Sequence, residues 1–233
     1  MNGQDHKSTT NRRDFLGKIA MGAGALTIAS LAFPSPLAAH SNPVKSSAGD
    51  PEEWLNQIKG KHRIVFDVAE PQGMMPLAWS RVFLMTNQQT GADPNDCTAV
   101  VVLRHEAIPY AFNDSVWEKY KLGEGSKIND PKTGAPATRN IFWKPAEGDF
   151  KVPGIGNVKI GINELMDDGV LFGVCSVAIL VNSHAMAQKM NLDGDTVHKD
   201  MMDGILPGIQ LLPSGVWAVG RAQEHECNYC IGS

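Results

Sequence analysis

Five short apolar runs punctuate the chain, and between them apolar positions recur at helical spacing. Ile64-Val65-Phe66-Asp67-Val68 and residues 98–103, 170–174, 209–212 and 227–231 have the length and composition of strands. The run at 98–103 is continuous and β-branched, which predicts a strand covered on both faces. Residues 74–89, with Leu77, Ala78, Phe83, Leu84 and Met85 apolar, read as an amphipathic helix. So do 115–120, 162–167 (stopped by Gly169), 176–190, 196–202 (closed by Gly204 and Pro207) and 216–226, with a short helix at 52–58. Strands alternating with helices predict an α/β fold: a doubly wound, mostly parallel five-stranded sheet with flavodoxin-like layering. Right-handed crossovers then bring the strands' carboxyl ends to one rim, where open α/β sheets gather ligands.

Two segments break the pattern. Residues 121–160 hold six glycines, four prolines and the aromatic residues Phe142, Trp143 and Phe150. So long an irregular stretch inside a domain predicts an insertion that covers or reshapes the rim. The other is the amino end. Arg12-Arg13-Asp14-Phe15-Leu16-Gly17-Lys18 leads into an uncharged, Gly- and Ala-rich run at 19–33, then Pro34, Pro36 and Ala38-Ala39. Paired arginines before a mild apolar run resemble a twin-arginine export signal. The run is shorter than the roughly 20 residues that a membrane helix needs. The expected organisation is a signal peptide at 1–39, a linker at 40–60 and a domain at 61–233. The expected location is the periplasm, with no membrane attachment after cleavage.

Composition narrows the function classes. The 233 residues are 42% hydrophobic and 20% charged, enough to bury an ordinary core. Net charge is −4; because Lys7, Arg12, Arg13 and Lys18 outweigh Asp5 and Asp14 in the leader by two, the remainder stands at −6. That excludes a nucleic-acid partner and argues against anionic lipid surfaces. The methionines, Met74, Met186 and Met201 among them, suit core or interface better than copper.

Chemistry collects at the predicted rim. The second strand ends in Arg104-His105-Glu106 and runs on to Asn113; the third ends in Gly173-Val174-Cys175, directly before a helix; the fourth ends in Leu212-Pro213-Ser214-Gly215, again before a helix. A thiol at a strand-to-helix junction meets free backbone N–H groups and the positive end of the helix dipole, both of which favour thiolate. Cys175 is therefore either a nucleophile able to attack or hold sulfane sulfur, or a small buried hydrophobe. His105 is an acid, base or ligand candidate, or else a solvated rim histidine. Strand alternation, carried that far, puts Arg104 and Glu106 on one face and His105 on the other. Ser214 fits a helix cap, with Gly215 shaping the turn. Arg104, Asn113, Ser214 and Gly215 are the candidate ligand-binding set.

The order of these pieces resembles the DsrE/DsrF-like family of small sulfur-handling proteins. The likeness rests on Val101-Val102-Leu103-Arg104-His105, on Val174-Cys175-Ser176, and on Ile205-Leu206-Pro207-Gly208-Ile209-Gln210-Leu211-Leu212-Pro213-Ser214-Gly215-Val216. It ends with Arg221-Ala222-Gln223-Glu224 leading into an aromatic-bearing strand, and spans roughly residues 62–120 and 161–231. The resemblance implies that Cys175 accepts a persulfide; His105 stands beside it in the candidate catalytic pair on its own acid–base chemistry. The resemblance also implies a trimeric or hexameric homo-oligomer and a sulfur donor or acceptor protein as partner, and it calls for no cofactor.

The remaining cysteines leave other functions open. Cys227-Asn228-Tyr229-Cys230 has the spacing of a redox couple or half a metal site. In an extended strand the two residues lie about 10 Å apart on opposite faces, too far for a disulfide, so a direct bridge needs a turn. A zinc site lacks a second such pair, and His184, His198 and His225 show no diagnostic spacing, so no metal is expected. Cys97 reads as a structural thiol, and four cysteines allow three complete pairings. The leading expectation is an exported protein that binds or transfers sulfur through Cys175. The alternatives are a non-catalytic small-ligand or metal-binding module roofed by residues 121–160, and a thiol–disulfide protein using Cys227 and Cys230.

Overall fold

A computed structural model describes residues 49–232, all within one compact unit. The export signal expected at 1–39 and the first part of the linker lie outside the described residues. Five strands form the main sheet: β1 (His62–Val68), β2 (Cys97–Leu103), β5 (Leu171–Cys175), β6 (Gln210–Leu212) and β7 (Asn228–Ile231). Their order is β6-β5-β2-β1-β7, and every neighbouring pair is parallel. The expected α/β, doubly wound, five-stranded sheet is thus present, and its parallel character is complete. Helices α1 (Pro51–Leu55), α2 (Met75–Gln89), α3 (Asp114–Lys119), α4 (Leu122–Gly125), α5 (Ile162–Asp167), α6 (Ser176–Met190), α7 (Gly194–Asp203) and α8 (Gly215–Glu224) surround it.

The winding explains the two unequal faces. From β1 the chain steps through β2 and β5 to β6 in one direction, and those crossovers put α2, α3, α5, α6 and α7 on one face. Phe66, Val68, Ala99, Val101, Leu103, Phe172 and Val174 point into that layer. From β6 the chain returns past β5, β2 and β1 to β7, so right-handed connection puts α8 on the other face. There Val65, Val100, Val102 and Leu212 meet Ala218 and Ala222 of α8 and Trp54 and Leu55 of α1. β2, in the middle, is buried along its whole length, as its continuous apolar run required. The winding direction reverses after β6, so the carboxyl ends of neighbouring β5 and β6 send their helices, α6 and α8, to opposite faces, the place where such sheets open a crevice.

Two features go beyond the sequence pattern. First, β2 stops at Leu103, and residues His105–Ala111 form a 3₁₀ helix, entered by His105 at φ +50°. The strand alternation extrapolated through Glu106 therefore fails, because the chain turns sharply before it can alternate. Second, the segment 121–160 is folded against the domain. It contains α4 and a small hairpin of β3 (Lys151–Val152) with β4 (Gly156–Asn157). Ile128, Ala137, Ile141, Phe142 and Phe150 are buried in the main core, with Phe142 stacked on Phe150 at 5.7 Å and tilted against Tyr110 at 4.8 Å. Asn140, 1% exposed, pins the segment: its amide donates to the carbonyls of Tyr110 (2.9 Å) and Phe112 (2.7 Å), and its Oδ1 accepts from the Phe142 N–H. Among the described residues no helix is long and apolar enough to cross a membrane.

Candidate functional site

Cys175 is the last residue of β5 and the N-cap of α6. Its backbone is extended (φ −74°, ψ 114°), and its Sγ accepts the Ala178 N–H at 3.2 Å, in the role a serine or aspartate oxygen takes at other caps. A fifteen-residue helix thus points its unpaired amide end at the sulfur. The residue is 6% exposed, so the sulfur lies just beneath the rim rather than open on it. One strand over, β2 pairs Leu103 with Val174, which sets Arg104 laterally beside Cys175.

Arg104 organises the α8 side of this rim. Its Nε and one terminal nitrogen grip the Asp67 carboxylate at 2.6 and 2.9 Å, a bidentate pair, and the Tyr229 hydroxyl donates to the same carboxylate at 3.1 Å. Three strand ends therefore meet in one network: β1 through Asp67, β2 through Arg104 and β7 through Tyr229. The hydrogen bonds to Asp67 push the Arg104 guanidinium further up from its already high pKa, burial opposes this, and the negative charge that Tyr229 and Cys175 can carry adds to the rise. Burial first, then the Asp67 charge, raises the Tyr229 phenol. Gly215 makes room for this arrangement, since a Cβ there would lie 2.6 Å from the Arg104 Cβ. Ser214 caps α8, accepting the Trp217 N–H at 3.1 Å, while the Ser176 hydroxyl ties the start of α6 to the Pro213 carbonyl at 2.8 Å.

The other sequence-selected residues disperse. His105 has an exposed side chain and contributes its carbonyl, which accepts from the Asn182 amide at 3.3 Å. No hydrogen bond joins it to Cys175 among the described residues. Asn113 belongs to another corner, capping α3 through the Val116 N–H at 3.1 Å. Cys227 and Cys230 are free thiols on opposite sides of the sheet: Cys227 packs with the α8 layer, Cys230 against the α2 layer. β7 runs extended through both Tyr229 and Cys230, so a direct bridge requires that strand to unwind. Burial raises the Cys227 thiol to about 11. Cys97 is also a buried free thiol, pushed up first by burial and then by Asp96 and Asp93. Among the described residues no group of three or more His, Cys, Asp or Glu side chains is placed to hold a metal.

Sequence reasoning missed Asp67 and Tyr229. The signal for Asp67 was present: one acid inside the apolar run 64–68 demands a partner. Tyr229 gave no comparable sign. A cavity of about 200 Å³ also opens at this end of the sheet, on the α6 side, lined by Pro71, Glu106, Ile108, Asn182, Met186 and Met201 among others. Leu122, Gly125 and Ser126 of the insertion form part of its wall.

No family model and no curated protein matches the chain. Among solved structures it is similar to a protein of unknown function from Methanobacterium thermoautotrophicum, with 18% identity over 73% of this chain and 98% of that one and a TM-score of 0.35.

Proposed function

We propose that this chain is an exported, DsrE-like protein that takes up sulfur as a persulfide on Cys175 and passes it on. The observation that carries the proposal is the Cys175 sulfur at the start of α6, hydrogen-bonded by the Ala178 N–H, with Arg104 just past the end of the neighbouring strand. The helix amides converge on that sulfur, and the terminal Arg104 nitrogen that Asp67 does not use offers a charged donor at the same rim. In the uptake step the Cys175 thiolate attacks the outer sulfur of a donor persulfide, R–S–SH. A new S–S bond forms, the donor's S–S bond breaks, and the donor leaves as thiolate with the bonding pair. The carried sulfur keeps its oxidation state, so no separate oxidant is required. Delivery is the same exchange with an acceptor thiol attacking. The Arg12-Arg13 motif and the uncharged run after it support twin-arginine export to the periplasm. The donor or acceptor is a second protein or a small persulfide.

The roughly 200 Å³ cavity favours a second reading, a small-ligand module that does not use Cys175. One experiment separates the two. The full chain is incubated with a small persulfide donor and its intact mass measured, beside Cys175→Ser. The expected result is a gain of one sulfur atom in the wild type and none in the variant. No gain in the wild type, or an equal gain in Cys175→Ser, contradicts sulfur transfer. A ligand retained by both proteins in native mass spectrometry favours the second reading.

A further inference from the structure

We propose that the cavity beside α6 binds a small organic ammonium compound, its charged nitrogen held at the mouth by Glu106 and Asn182. The proposal rests on the second reading above, that of a small-ligand module, and gives that module its ligand class. The site is built where β2 leaves the sheet. His105 turns the chain in a left-handed conformation (φ +50°), and the 3₁₀ helix it opens carries Glu106 and Ile108 to the cavity wall. The Asn182 amide donates to the His105 carbonyl at 3.3 Å, which ties that turn to α6 and brings both polar side chains to one cavity.

The lining is sorted by polarity. Ile108, Phe112, Leu122 and Met201 are each no more than 4% exposed and form an apolar floor. Glu106 is exposed and Asn182 half-buried, so the polar groups stand at the open end. A volume of about 200 Å³ lies below the roughly 300–1,000 Å³ of sites for drug-sized ligands. At ~30 Å³ per water-sized group it holds roughly seven such groups, a ring or short chain with one polar head.

The charge of that head follows from the groups left over. The Asn182 amide nitrogen is fully used, donating to the His105 carbonyl and to the Ala178 carbonyl at 2.9 Å. Its Oδ1 remains as an acceptor with no donor among the described residues. Glu106 is the one charged side chain of the lining, and no basic side chain pairs with it among the described residues. An anion would meet a carboxylate and a bare amide oxygen, and a neutral alcohol offers them a single uncharged donor. An ammonium group donates up to three hydrogen bonds and neutralises the carboxylate, so it satisfies both acceptors together.

The test uses the full chain with isotope-labelled methionine methyl groups, because Met186 and Met201 both line the cavity. Benzylamine, benzyl alcohol and benzoate are titrated in turn and followed by NMR. Benzylamine is expected to shift both methyl signals saturably, with benzyl alcohol binding on the order of 10-fold more weakly and benzoate leaving them unmoved. Glu106→Gln should bring benzylamine down to the strength of the alcohol, while the alcohol binds as before and so reports a folded variant. Benzyl alcohol matching benzylamine overturns the ammonium class and leaves the small-ligand reading standing. A preference for the amine that survives Glu106→Gln overturns the site as drawn. If none of the three compounds moves either signal, the small-ligand reading falls with the proposal.

Discussion

Asp67 is a carboxylate in a strand whose neighbours Val65, Phe66 and Val68 are all buried. Such a group is tolerated only when its lone pairs are fully used, and here Arg104 and Tyr229 use them. The same network fixes Arg104 next to Cys175, so one side chain serves both the fold and the rim. Arg104→Gln therefore has two expected effects. Unfolding in urea should show a loss of about 1–3 kcal/mol, the cost of a buried carboxylate left short of its partners. Sulfur uptake by Cys175, followed by mass, should slow with it, because the charged donor at that rim is gone. A variant that loses stability but loads sulfur at the wild-type rate separates Arg104 from the chemistry.

At the scale of elements, the insertion shows what holds an irregular segment in place. Gly123 packs so tightly that a Cβ would sit 2.2 Å from the Ala137 carbonyl oxygen, and Asn140 bonds to backbone 28 and 30 residues earlier. Asn140→Ala should cost roughly 2–4 kcal/mol through the stranded Tyr110 and Phe112 carbonyls. For a domain of this size that is a fall in Tm of about 5–15 °C, read by calorimetry, with sulfur uptake by the folded protein unchanged. The strands and long helices were legible because apolar spacing encodes them directly; α2 and α6 fall almost where the pattern put them. The insertion was not, because it is held by one amide and a stack of aromatic rings, neither of which leaves a period in the sequence. The 3₁₀ helix was missed for a related reason. It begins with a left-handed residue, His105, which no hydrophobic pattern marks.

For the whole molecule, alternation of strands and helices fixed the parallel sheet, while the order β6-β5-β2-β1-β7 had to come from the structure. That order is why half the candidate site was invisible. Arg104 and Cys175 stand out as residues at strand ends, but Tyr229 joins Asp67 from 162 positions away only because β7 returns to lie beside β1. Cys227, sealed between that returning strand and α8, also sets an alkaline limit on stability. Its folded thiol titrates near 11, above the ~8.5 of an exposed thiol. The folded form thus favours the protonated state, a contribution fully present below about pH 8.5 and lost as pH rises toward 11. The urea midpoint should fall across that window, and Cys227→Val should flatten the fall. An equally steep decline in the variant assigns it to other groups.

On the proposed reading, position and not exposure selects the sulfur that reacts. All four cysteines are free, and Cys230 is more exposed than Cys175. The most direct measurement is therefore a competition within the wild-type protein: limiting persulfide donor, rapid trapping, and tandem mass spectrometry to locate the added sulfur. The expected result is sulfur on Cys175 ahead of Cys230, with Cys97 and Cys227 untouched. Sulfur found first on Cys230, with Cys175 bare, would contradict the account.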